Sequence, residues 1–137
     1  MDILSVSFRE INLKREDIQN ATITKITNNI NIADLKEGPV INNEKTLSLT
    51  FEYTSKYETK AKGNLGHIKI IGDVLFTDKK KVLSSLLKSW KEKKLEQKSL
   101  ILPLQAALNS VNIEAICLSK KVLLPSPINL PTIKPKE

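Results

Sequence analysis

The chain has 137 residues, of which 40% are hydrophobic, 27% charged and 4% aromatic, and it carries a net charge of +7. That length and balance suit one globular domain with a real core and exclude a disordered chain. No uninterrupted apolar run approaches the ~20 residues of a membrane span. The opening Met1-Asp2-Ile3 shows no secretory pattern, and Cys117 is the single cysteine. A cytoplasmic protein without membrane insertion and without disulfides is expected.

Four strands come first. In 3–13, Leu4, Val6 and Phe8 share one face, and the count then switches so that Ile11 and Leu13 fall on the other parity. A bulge near Arg9-Glu10 reconciles the two halves. Residues 21–33 form a Thr/Ile strand with Ile26, Ile30 and Ile32 on one face, followed by turn signals at Gly38-Pro39 and Asn42-Asn43. The clearest strand is 46–54, where Leu47, Leu49, Phe51 and Tyr53 alternate with polar residues. A fourth, 65–77, aligns Ile68, Ile70, Val74 and Phe76 around Gly72. Strands three and four read as a hairpin with a long basic tip bearing Lys60 and Lys62.

Two helices and a tail follow. Asp78 is placed to cap the first helix, whose stripe is Val82, Leu83, Leu86, Leu87 and Trp90. A polar connector, 91–98, leads to a second helix over 99–121, with Pro103 tolerated in its first turn. Leu104, Leu108, Val111, Ala115, Leu118 and Val122 recur at spacings of four and three, a narrow seam suited to packing against another element or another copy. Ile101, Ile116 and Leu123 add apolar surface beside it, so self-association through this helix is expected, with edge pairing of the first strand as a further aid. The helix runs into Leu124-Pro125-Ser126-Pro127-Ile128-Asn129-Leu130-Pro131, where dense prolines hold the chain extended. This gives an α+β domain over 1–122, a four-stranded antiparallel sheet followed by two helices on one face, and an extended Pro-rich tail over 123–137. The tail either folds back on its own domain or docks into a partner.

The order and motifs of these elements resemble the SecB family of export chaperones. An opening strand ends in the polar kink Phe8-Arg9-Glu10-Ile11-Asn12-Leu13-Lys14-Arg15-Glu16-Asp17. A Thr/Ile strand precedes Ile30-Asn31-Ile32-Ala33-Asp34-Leu35. The hairpin ends in Gly72-Asp73-Val74-Leu75-Phe76, and the long helix leads into the Leu-Pro-x-Pro-Ile-x-Leu-Pro segment at 124–131. The resemblance implies a protomer that assembles through strands and long helices and binds non-native polypeptide in apolar grooves, as a chaperone or targeting protein without cofactor. Phe8, Phe51, Tyr53, Trp90, Leu124, Ile128 and Leu130 are the residues expected to contact a client or partner, or else the core.

Catalysis is not expected. His67 is the lone histidine and has no nucleophile or second base spaced to work with it. Cys117 reads as a small packed hydrophobe on the second helix. The glycines at 38, 63, 66 and 72 make no phosphate loop, and metal ligands of the Cys/His kind are missing. The charge excess is local. Residues 79–98 hold Lys79, Lys80, Lys81, Lys88, Lys91, Lys93, Lys94 and Lys98 against Glu92 and Glu96, which leaves +6. This segment is either a solvated face or a surface for an anionic partner such as RNA, a ribosomal surface or an acidic protein. On the second reading the chain is a ribosome- or RNA-associated accessory protein, held through the lysines and the tail.

Overall fold

In the computed structural model the residues described are 1–16, 22–60, 63–125 and 127. Strands β1 (Asp2–Arg15), β2 (Ile23–Glu37), β3 (Leu47–Thr59) and β4 (Gly63–Thr77) form one antiparallel sheet in the order β1-β4-β3-β2. The alternation read in β3 sets the sheet's inner face. Leu47, Leu49, Phe51, Tyr53 and Tyr57 are buried there beside Ile68, Ile70, Val74 and Phe76 of β4. Phe51 pairs with Gly72 and Tyr57 with Gly66, so each large ring faces a residue without a side chain.

Register shifts keep apolar residues on that face. The β1 shift between Phe8 and Glu10 falls where the parity switch placed it. A second shift, between Ile3 and Ser5, corrects the expected pattern: Ile3 joins Val6, Phe8 and Leu13 against the core, while Leu4 is turned out. In β2 a shift between Ile32 and Asp34 brings Leu35 onto the face of Ile30 and Ile32, and the strand continues past Ala33 to Glu37. Its expected start at Ala21 lies outside the described residues. Asn42 and Asn43, both with positive φ, make the tight turn that Ile41 and Glu44 close by two backbone hydrogen bonds. The β3–β4 tip is short rather than long, because the strands stay paired to Thr59 and Gly63; Lys62 lies outside the described residues.

Helix α1 (Lys80–Lys91) is not capped by Asp78. The capping position falls on Lys79, one residue later. Asp78 instead accepts from the Lys79 backbone N–H at 2.7 Å and lies 3.7 Å from the N-terminal ammonium. Leu83 and Leu86 of the expected stripe are buried, Leu87 and Trp90 half-buried, and Val82 exposed. A short 3-10 turn, Gln97–Leu100, precedes α2 (Ile101–Lys121). Helix α2 lies across β4, β1 and β3, with Pro103, Ala107, Val111, Ala115 and Leu118 buried, and Leu100 of the preceding turn is buried too. Lys98–Lys121 is long and apolar enough to cross a membrane by length and composition, with a mean hydropathy of 1.4. In this fold 28% of its 18-residue apolar window is buried, and Ile101, Leu102 and Ile113 are exposed.

The end of α2 aims the tail. Leu123 adopts φ 56°, and the N–H of Leu124 returns to the carbonyl of Ser119 at 2.9 Å, a Schellman closure with leucine where glycine is usual. The chain turns back sharply, and Leu124 enters the core at 5% exposure. Of the two outcomes open for the tail, its first residues take the intramolecular one.

Candidate functional site

Because α2 covers β4, β1 and β3, the outer strand β2 is left incompletely roofed. Its inward row, Ile23, Ile26, Ile30 and Ile32, is only half-buried. Leu108 of α2 borders this strip at Ile30, and both it and Leu104 are half-buried. Between strip and helix opens a cavity of about 330 Å³ lined by Asn28, Asn29, Ile30, Tyr53, Leu108 and Asn112. A larger cavity, about 420 Å³, lies between the chain's first residues and the start of α1, but Asp2, Glu44, Lys45, Asp78, Lys79 and Lys80 dominate its wall. The β2 strip has the apolar character that the larger one lacks.

A row of polar groups runs along one end of the strip. Tyr53 Oη donates to Ser55 Oγ at 2.6 Å, and Ser55 Oγ donates to Asn28 Oδ1 at 2.7 Å. Asn28 Nδ2 then donates to the Pro127 carbonyl at 2.7 Å, and Tyr57 Oη donates to the Pro125 carbonyl at 2.7 Å. Burial pushes the Tyr57 hydroxyl up to about 12, with neighbouring Tyr53 adding to the shift. Burial also raises Tyr53, partly offset by its bond to Ser55. Both phenols are therefore donors at neutral pH.

The expected contact residues divide. Phe51 is fully enclosed, and Tyr53, at 2% exposure, reaches the strip only as part of the cavity wall. Phe8 and Trp90 are half-buried against the core, which leaves part of each ring open. Leu124 is held by its own domain, while Ile128 and Leu130 lie outside the described residues. Within the expected seam, Val111, Ala115 and Leu118 are buried in this protomer and Leu104 and Leu108 stand at its border. The widely exposed apolar residues of α2 are Ile101, Leu102 and Ile113. Sequence reasoning gave no site role to Ile23, Ile26, Asn28 or Tyr57. The Ile face of β2 was readable, but its exposure depends on where α2 lands.

Lys79, Lys80, Lys88, Lys91, Lys93 and Lys94 are all exposed. Among the described residues, the one ion pair in 79–98 joins Lys98 to Glu96 at 3.6 Å. Lys80, Lys88 and Lys91 share one arc of α1, and Lys80, one turn before Leu83, lines a pocket with Leu83 and Leu87. Cys117 is exposed, contrary to the packed position expected of it, because α2 turns that side to solvent. His67 Nε2 lies 2.9 Å from Asn12 Oδ1 on the outer face of the sheet. Among the described residues no three His, Cys, Asp or Glu side chains are grouped to hold a metal ion.

No protein-family model matches the chain. No curated protein matches it in sequence. Among solved structures the chain is similar to Rv1957, a SecB-like chaperone of Mycobacterium tuberculosis solved in complex with a ChAD peptide from the Rv1956 HigA1 antitoxin. The TM-score is 0.55 at 9% identity, with 99% of this chain and 92% of that one covered. The fold is SecB-like. Both the sheet and the two helices that follow it are included in the likeness, which concerns architecture and not sequence.

Proposed function

We propose that this SecB-like chain is a chaperone or targeting protein that holds non-native polypeptide, without a cofactor, on the strip between β2 and α2. The observation that carries this reading is the half-covered isoleucine row, with Leu108 of α2 lining the same cavity as Ile30. The structural neighbour was solved with a peptide, which fits such a use of the fold. Completing the burial of four half-buried isoleucines is worth about 4 kcal/mol, or a millimolar affinity for one protomer. Several such strips in a homo-oligomer raise the hold on one unfolded chain by avidity. The test is aggregation of a denatured client at several-fold excess of the purified protein. Suppression that Ile30→Asp removes while the fold's melting is kept supports the reading. No suppression across several clients overturns it.

The lysines support a second reading, attachment to an anionic partner such as RNA or a ribosomal surface. The first turn of α1 carries lysines where the helix dipole favours acids, so this charge is placed at a small cost in stability. Phosphate contacts predict affinity that falls by about 0.7–0.9 log units per contact for each tenfold rise in salt. Sedimentation of a cell lysate at low and high salt checks this. Salt-sensitive migration with ribosomal subunits favours attachment, and recovery only in light fractions at both salts removes it.

A further inference from the structure

The tail contacts identify what one end of the strip is built to take. Tyr57 and Asn28 donate to the carbonyls of residues 125 and 127, two positions apart. Asn28 is level with Ser55 in the sheet, so the two donors are themselves offset by two residues along the strand direction. In an extended segment, carbonyls at i and i+2 point to one side with the same spacing, about 6.6 Å. Both acceptor residues are prolines. The site offers its ligand donors, and the adjacent acceptor, Asn28 Oδ1, is already engaged by Ser55. A segment lacking backbone N–H groups at these positions leaves nothing buried and unpaired. Ahead of the first proline, Leu124 is buried over Gly66, where an added Cβ would lie 3.4 Å from its Cδ1.

We propose that this end of the strip is a binding site for an extended Leu-Pro-x-Pro segment. Leu124, Pro125 and Pro127 occupy it in cis, and a segment of the same kind from another polypeptide competes for it. The inference rests on the reading of the strip as a polypeptide groove and names its ligand. Ser55 and Tyr53 continue the row beyond Asn28 toward Ile30 and the cavity, so a longer ligand has apolar surface ahead of its second proline. Tethering gives the cis segment an effective concentration in the millimolar range, so an outside segment meets an occupied site.

The experiment uses the full-length chain and a fluorescein-labelled peptide, Leu-Leu-Pro-Ser-Pro-Ile-Asn-Leu-Pro, followed by anisotropy. Leu124→Ala weakens the cis segment and is expected to bind the peptide at least tenfold more tightly than the wild type. Adding Asn28→Ala and Tyr57→Phe to that variant should lower the affinity about tenfold again. Replacing both Pro residues within Pro-Ser-Pro by alanine should weaken the peptide about fivefold. Equal binding by the wild type and a folded Leu124→Ala overturns the proposal. Should Leu124→Ala fail to fold, the side-chain amide NMR signals of Asn28 in the wild type, titrated with millimolar peptide, decide instead: movement to a saturating end point supports the proposal, and no change defeats it. Aggregation suppression that the peptide cannot compete away would defeat this inference and leave the chaperone role standing. Peptide binding without any suppression would do the reverse.

Discussion

At Gly72 the backbone of β4 passes beneath Phe51, and an added methyl would meet both the Ser7 carbonyl and the Phe51 ring, 2.7 Å from its Cζ. Neither neighbour can yield easily: one is backbone in a paired strand and the other a fully buried ring. Gly72→Ala is therefore expected to cost about 1–3 kcal/mol by overpacking, read as a lower urea midpoint with an unchanged slope. Tyr57 makes a prediction in pH. An unfolded tyrosine ionises near its ordinary 10.0, whereas the folded chain holds this proton to about 12. The folded state thus favours the neutral phenol; its contribution is intact below pH 10 and is lost as pH rises from 10 toward 12. Urea unfolding should show the stability gap between wild type and Tyr57→Phe shrinking by about 1–2 kcal/mol over that window. A gap constant with pH would count against the assigned burial.

For whole elements, periodicity located what repeats and missed what ends. The alternation of β3 and the Ile68–Ile70–Val74–Phe76 face were legible because side chains must alternate across a buried sheet. The bulge near Arg9-Glu10 was legible too, since only an inserted residue lets both halves of β1 keep apolar residues inside. The closing turn of α2 was not, because leucine gives no sign of a left-handed position. Leu123 holds φ 56° at 80% exposure, so its side chain contributes little and its backbone is strained. Leu123→Gly is expected to stabilise the protein by about 0.5–1 kcal/mol, the gain in conformation outweighing glycine's extra unfolded entropy. Thermal unfolding checks it; a drop in Tm would show that Leu123 is covered in solution.

Across the molecule, α2 has apolar residues on more than one side. One side is spent on the sheet, which removes Val111, Ala115 and Leu118 from any contact between chains. Ile101, Leu102 and Ile113, together with the border residues Leu104 and Leu108, remain for one. If the protein self-associates as proposed, Ile113→Asp should reduce the light-scattering mass without lowering Tm, since this residue is 68% exposed in the protomer. A one-chain mass for the wild type at high concentration would end the proposal.

The sequence by itself determined the four strands, the two helices and their order, because each rests on local periodicity that burial of one face enforces. The SecB-like architecture was read from a family resemblance in that order and in its motifs. The lysine excess on 79–98 was equally plain, being composition alone. Tertiary structure decided the rest. Which apolar residues are core and which are site depends on where α2 crosses the sheet: Phe51 is fully buried, while Ile30, on the neighbouring strand, is only half-buried. The same placement turned Leu124 from an expected partner contact into the protein's own anchor. Hydrophobicity specifies that such a residue will be covered, but not by which surface, since the effect is non-directional and only the assembled fold supplies the direction.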